Sequence, residues 1–338
     1  MTTNAHTWVM AKRPHGEPEQ NCFEQKEVQL PELSEGQVLV ENRWLSLDPY
    51  MRGRMRDAAS YAEPLQVGEV ITGETAGTIT ASRHSRWQVG DAVCLHKGWR
   101  THVIIDGDAQ ELMPIDTSLA PMPAWLGVVG MPGRTAWIGL DAIGKPKEGE
   151  TIVVSAASGA VGSVVGQIAK IKGLRVVGVA GGDTKCRWCV EEAGFDACID
   201  YKKAGFEQAL KEACPNGVDI YFENVGGAVS RAVAPLLNAG ARVPICGYIS
   251  LYNSTDDLTQ VETPFSLFGS LDPKPEHRFF VVTEQLENWP SISRQLALWV
   301  QEGKIKYRET VTEGFQHAPD AFIGLLQGRN FGKQLVGI

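Results

Sequence analysis

The chain has 338 residues, with 32 Lys and Arg against 40 Asp and Glu and a formal net charge of −8. It therefore lacks the basic face that phosphate backbones demand, and nucleic acid is excluded as a partner. The opening residues MTTNAHTWVMAKRPHGEPEQ hold no apolar stretch of signal-peptide length, and no charge-free apolar run reaches 18 residues. No membrane partner and a cytoplasmic location are expected.

The length suits two domains with a large core. Up to about Pro121 the chain is rich in Gly, Pro and short alternating runs, such as Gln37 to Glu41 and Ala92 to Leu95. These predict an irregular β-rich domain. Within it, Arg52, Arg54 and Arg56 read as solvated or salt-bridged structural charges, with attraction of an anionic substrate tail as the alternative. His96 and His102 share a suggestive spacing without a third ligand nearby, and read as surface or polar-core histidines.

From about Met122 the pattern changes. Strands predicted at 152–155, 175–179, 218–222, 242–246 and 279–282 alternate with helical stretches, the signature of a parallel α/β sheet. The tail from Gly303 adds a predicted helix over Pro319 to Gln327 and a short final strand, which suits a return to the first domain.

The segment TIVVSAASGAVG, Thr151 to Gly162, carries the chemistry of the middle region. Ile152, Val153 and Val154 fit a strand buried on both faces. Ala157, Gly159 and Gly162 then occupy the three small positions of the G-x-G-x-x-G fingerprint, where backbone N–H groups and a helix N-terminus approach a pyrophosphate. Ala157 departs from the usual first glycine. Helical spacing from Val161 to Ile171 ends at Gly173, a C-cap, and the strand from Arg175 completes the βαβ unit.

In this arrangement an acidic residue ending the second strand would bind a ribose 2′-hydroxyl. Here the strand ends in Gly178-Val179-Ala180-Gly181-Gly182, followed by Lys185 and Arg187, which suit a 2′-phosphate. NADPH is expected over NADH, with Asp183 as the residue that would still serve a ribose. The seven cysteines have no secreted-scaffold context and are expected to be free thiols; Cys186 and Cys189 lie in a predicted helix, Lys185 to Ala193.

Six ordered motifs give the chain a resemblance over nearly its whole length. They are LSLDPYMRGRM (from Leu45), GMPGRTAW (from Gly130), KEGETIVVSAASGAVGSVVGQIAKIKG (from Lys147), YFENVGG (from Tyr221), CGYISLYN (from Cys246) and GLLQGRNFGK (from Gly324). On these the chain resembles the zinc-independent medium-chain dehydrogenase/reductases, in the branch of alkenal/one oxidoreductases, prostaglandin (leukotriene) reductases and curcumin reductase.

The resemblance implies a GroES-like catalytic domain of residues 1–121 and 301–338, and a Rossmann NADPH-binding domain of residues 122–300. It implies an active site in the cleft between them, and a homodimer. It implies cofactor contacts from Met131 and Thr135, from Ala157, Ser158, Gly159, Ala160, Val161 and Gly162, and from Lys185, Tyr201 and Asn224. Further contacts would come from Cys246, Gly247, Tyr248, Ile249, Ser250, Leu251 and Tyr252, from Phe280, Val281 and Val282, and from Asn330 in the tail. Tyr201, in DYKK, departs by one residue in its spacing from the glycine turn. Where zinc-dependent members place a histidine ligand, in GHExxG, this chain has Gly73, so no metal is expected.

Without a metal, a conjugated enone is the easier hydride acceptor. Hydride adds to the β-carbon, and the enolate oxygen then needs a donor. Tyr252 is the leading candidate and Tyr50 the second, with Tyr61, Met131, Tyr248 and Phe268 as bulky candidates for an apolar pocket. The expected activity is NADPH-dependent reduction of the carbon–carbon double bond of small hydrophobic α,β-unsaturated ketones and aldehydes. The alternatives are a quinone reductase of the same fold and a non-catalytic NADPH sensor.

Overall fold

A computed structural model describes residues 3–58, 62–257 and 260–338. The chain divides into two compact units, Met1–Gly127 with Glu309–Ile338, and Val128–Arg308.

In the second unit six strands form one parallel sheet, in the order Ala197–Asp200, Arg175–Ala180, Thr151–Ser155, Val218–Phe222, Leu237–Ile245 and Glu276–Phe279. Numbered along the chain this is 3-2-1-4-5-6, the doubly wound order whose direction reverses between Thr151–Ser155 and Val218–Phe222. Every residue of Thr151–Ser155 is buried, which is why the strand is apolar on both faces rather than alternating. Burying each of its valines stabilises the fold by about 1.5–3 kcal/mol.

The helix Gly162–Ile171 follows, and Gly173 takes the left-handed φ of +81° that ends it. Gly166 lets this helix approach Phe195 closely, since a Cβ there would lie 1.9 Å from the ring. The sequence pattern missed Ala197–Asp200, a four-residue strand too short to show a period. It also placed the last strand too late: the pairing runs over Glu276–Phe279, and Glu284 Oε1 then accepts from the Val281 N–H at 3.0 Å, turning the chain into the 3-10 segment Val282–Asn288.

In the first unit Thr3–Met10 pairs antiparallel with Phe23–Leu30. A separate seven-stranded mixed sheet runs Glu309–Glu313, Lys333–Gly337, Gln37–Leu47, Thr75–Ser82, Ala92–Leu95 and Met113–Pro114, with His102–Asp106 paired to Gln37–Leu47. The tail strand Lys333–Gly337 is therefore internal, parallel to one neighbour and antiparallel to the other. A core of Met10, Phe23, Leu45, Met51, Trp99 and Phe322 packs beneath it, with Trp99 stacked on Phe23 at 6.1 Å. Among the described residues no helix is long and apolar enough to cross a membrane.

Candidate active site

At the reversal point of the parallel sheet the chain turns through Ala156 to Gly162. The left-handed residue is Ala156, with φ of +49°, while Ala157 is fully buried with its Cβ against Gly178. The first small position thus serves close packing, and the strain falls one residue earlier. Gly162 tolerates no side chain, because a Cβ would lie 2.3 Å from the Ala156 carbonyl oxygen; at Gly159 the same distance is 3.1 Å. No side chain caps the ten-residue helix Gly162–Ile171, so its N-terminal end presents backbone donors and the positive end of its dipole. These residues fit a diphosphate.

Three loops meet at the ends of the central strands. Asn224 donates from Nδ2 to the Ser155 carbonyl and from its backbone N–H to Ser155 Oγ, both at 2.8 Å, which ties the two strands flanking the reversal together. Cys246 and Gly247 donate their N–H groups to the Glu223 carbonyl at 2.9 and 3.2 Å, and Ile249 and Ser250 donate to Asn224 and Val225. Beneath them lies Glu223, a fully buried carboxylate. Its Oε1 accepts from Tyr221 Oη at 2.9 Å and from the N–H groups of Val225 and Gly226 at 2.8 and 2.9 Å, and Ser230 Oγ donates to Oε2. Burial raises its pKa against the pull of those donors. Sequence reasoning passed over Glu223, although an acid directly after the apolar run Ile220-Tyr221-Phe222 is a visible signal.

Cys246 does not offer a reactive thiol. Burial, then the neighbouring Glu223, pushes it up to about 12. Tyr248 and Tyr252 pack edge to face at 5.7 Å, and Tyr248 meets Phe265 likewise at 6.1 Å. Two expected residues are corrected. Phe268 is fully buried against Tyr221, a core side chain rather than a pocket wall. The Phe280 ring is also buried, edge to face on Phe222 and over Gly139, so only its backbone remains available to a ligand. Val281 and Val282 are half-buried. Met131 is half-buried, and Thr135 Oγ1 donates back to its carbonyl at 2.7 Å. Tyr61 lies outside the described residues.

Beyond the second strand, Asp183 is paired with Lys203. Lys185 is held below its ordinary pKa by burial and then by Lys202. A Cβ on Gly181 would lie 2.9 Å from both Lys202 Cε and Tyr201 Cε1, so these two side chains lie over the glycine that follows the strand. Lys202, which the sequence reading passed over in DYKK, joins Lys185 in a like-charged pair that a phosphate dianion would relieve.

In the first unit Tyr50 opens the short helix Tyr50–Arg54. Lys333, 3% exposed, donates to Asp48 Oδ1 at 2.6 Å and to the Leu47 carbonyl at 2.7 Å, fixing the chain just before that helix. The Tyr50 hydroxyl lies 3.0 Å from His96 Nε2. Two of the three arginines are tied into the unit itself: Arg52 donates to the Gly16 carbonyl and Arg54 to that of Glu63. Asn330 Nδ2 donates to the Gly332 carbonyl at 2.7 Å. Gly73 packs against Met51 and Trp99, where a Cβ would meet Met51 Cε at 2.9 Å and Trp99 Cδ1 at 3.0 Å. Among the described residues no three His, Cys, Asp or Glu side chains gather so as to hold a metal ion.

Comparison with known proteins bears on both units. Residues 6–115 match a family model described as the N-terminal domain of oxidoreductase, and residues 160–279 one described as zinc-binding dehydrogenase. The chain is 46% identical over 334 residues to the NADPH-dependent curcumin reductase of Escherichia coli (strain K12), covering 98% of this chain and 96% of that one. It is 43% identical over 336 residues to prostaglandin reductase 1 of Bos taurus, covering 98% and 99%. The crystal structure of CurA in complex with NADPH from Vibrio vulnificus superposes with a TM-score of 0.91 at 46% identity, over 98% of each chain. The Escherichia coli quinone oxidoreductase complexed with NADPH reaches 0.77 at 20% identity, a likeness of fold alone.

Proposed function

Because the chain belongs to the medium-chain dehydrogenase/reductase family, in the branch of the curcumin and prostaglandin reductases, we propose that it is an NADPH-dependent reductase of the carbon–carbon double bond in α,β-unsaturated ketones and aldehydes. The observation that carries the cofactor half is the switch-point turn, where Gly162 and Gly159 leave a cradle a Cβ would fill.

Gly159 to Gly162 would hold the diphosphate through backbone donors. Lys185, Lys202 and Tyr201 would receive the 2′-phosphate, which supports NADPH over NADH. Asn224, Gly247 and the loop to Tyr252 would line the nicotinamide end. NADPH, when bound, supplies the hydride. The protein's own task is then to stabilise the enolate oxygen and deliver a proton, and Tyr252 and Tyr50 are the hydroxyl donors assigned to it.

The reading extends to a homodimer in the cytoplasm, supported by the resemblance and checked by light scattering and fractionation. The test of function is NADPH oxidation with alkenals, alkenones, curcumin and quinones. Faster turnover per unit concentration of an enone than of a quinone is expected; a preference for quinones would overturn the assignment.

A further inference from the structure

We infer that His96 is the positioning residue for Tyr50: it holds the phenolic oxygen and returns to it the proton that Tyr50 gives to the product. The proposal rests on the enone-reductase reading, and it assigns the route of the proton rather than of the hydride. Tyr50 sits on a short helix whose start is locked by Lys333, through Leu47 and Asp48, and its ring packs on the core of the first unit. The hydroxyl is thus presented from a stiff base. His96 follows the strand Ala92–Leu95, where its ring is reached by solvent but crowded by surrounding protein, with its Nε2 3.0 Å from the Tyr50 hydroxyl and 3.4 Å from Thr72 Oγ1. A titratable ring thus joins the half-buried phenol to solvent.

The chemistry follows from the two states of that ring. Neutral Nε2 accepts the Tyr50 O–H, so the phenolic proton faces His96. In the imidazolium, Nε2–H donates to the phenolic oxygen, and the phenolic hydrogen is released toward another acceptor. When Tyr50 protonates the enolate, a C–H bond forms at the α-carbon and the phenolic O–H bond breaks. The phenolate takes the Nε2 proton, and the neutral ring is reprotonated from water. The charged groups facing His96 are Arg54, on the Tyr50 helix, Asp48, before it and paired with Lys333, and Glu111, paired with Lys97 at 3.0 Å. Burial lowers His96 below 6.5 and Arg54 lowers it further, while its own backbone, Asp48 and Glu111 pull it up. At neutral pH the ring is mostly uncharged, and kcat rises as pH falls through its pKa.

Two measurements test this on the full-length protein. In an NMR titration of His96, Tyr50→Phe removes a donor to the neutral ring and raises its pKa, by about half a unit; coincident curves would overturn the contact. With NADPH and an alkenone, kcat against pH shows a rising acid limb in the parent protein. His96→Leu lowers kcat about tenfold with KM for NADPH within twofold, and His96→Gln, which keeps a hydrogen-bonding group but does not titrate, restores most of kcat and flattens the limb. A limb that persists in His96→Gln, or a His96→Leu rate equal to the parent's, overturns the relay. A parent protein that reduces no enone at any pH sinks the assigned reaction and the relay with it, while the titration reports separately on the hydrogen bond.

Discussion

The Tyr252 side chain closes over Gly247: a Cβ built on Gly247 would stand 2.7 Å from the Tyr252 hydroxyl oxygen. The glycine is what allows the hydroxyl its position. Gly247→Ala moves that hydroxyl without removing it, so kcat with an enone falls about tenfold while the melting temperature changes little. Tyr252→Phe produces a comparable loss. An alanine variant at parental rate, with Tyr252→Phe also unaffected, would remove this hydroxyl from the chemistry.

Lys185 and Lys202 repel each other at the end of the second strand. Lys185→Ala is expected to raise KM for NADPH about tenfold, the loss of one charge-assisted hydrogen bond, and to leave KM for NADH alone. Equal effects on both cofactors would assign the lysine to general binding instead of the 2′-phosphate.

Lys333 and Asp48 form an ion pair almost shut off from water. Removing one partner strands the other, so Lys333→Met is expected to cost about 3–5 kcal/mol in denaturant unfolding of the first unit. Lys333→Met combined with Asp48→Leu recovers much of that loss. An additive double variant would contradict the pairing.

Arg242 grips Glu150 with two hydrogen bonds, of 2.9 and 2.6 Å, both groups being mostly buried. Burial works to raise the Glu150 pKa, but the Arg242 bonds, the Lys147 N–H and their charges outweigh it and hold the carboxyl below its ordinary 4.5. A depressed carboxylate contributes stability above the unfolded value, and that contribution disappears as pH falls through the lower folded value. Glu150→Gln therefore destabilises the second unit by about 2 kcal/mol at pH 7. The gap to the parent protein narrows below pH 4.5, as urea melts at several pH values would record.

Glu223 is expected to tolerate loss of its charge better than loss of its shape. Glu223→Gln keeps an acceptor for Tyr221, Val225 and Gly226, whereas Glu223→Ala leaves those donors buried without one and costs about 3 kcal/mol more. Equal destabilisation in thermal or denaturant melts would show that the charge itself holds the loop.

Local rules made parts of this molecule readable. Gly162 announced itself because a helix packed on a tight turn excludes a Cβ, and the apolar run at Ile152 to Val154 because a strand covered on both faces has no polar side. The residues that needed spatial neighbours did not. His96 meets Tyr50 across 46 positions, and nothing in its own surroundings reports that contact. Phe268 shows the reverse error: an aromatic near a ligand loop looks the same in sequence whether it faces the ligand or the core, and its packing against Tyr221 decides for the core. Ala156 and Ala157 are indistinguishable by type, and only the backbone tells which one is left-handed.

The place of Lys333–Gly337 inside the first sheet has a consequence for how the protein is made. Leu47 pairs with Gln334, so a strand from the start of the chain waits for a neighbour translated 287 residues later. At about 5–20 residues per second of synthesis, the ribosome completes the whole dinucleotide-binding unit before the first sheet can close. The nascent Trp44–Leu47 end of that strand must therefore stay unpaired on that side for tens of seconds, while Gln37–Glu41 already has His102–Asp106 as its neighbour, and the second unit is the one poised to fold first.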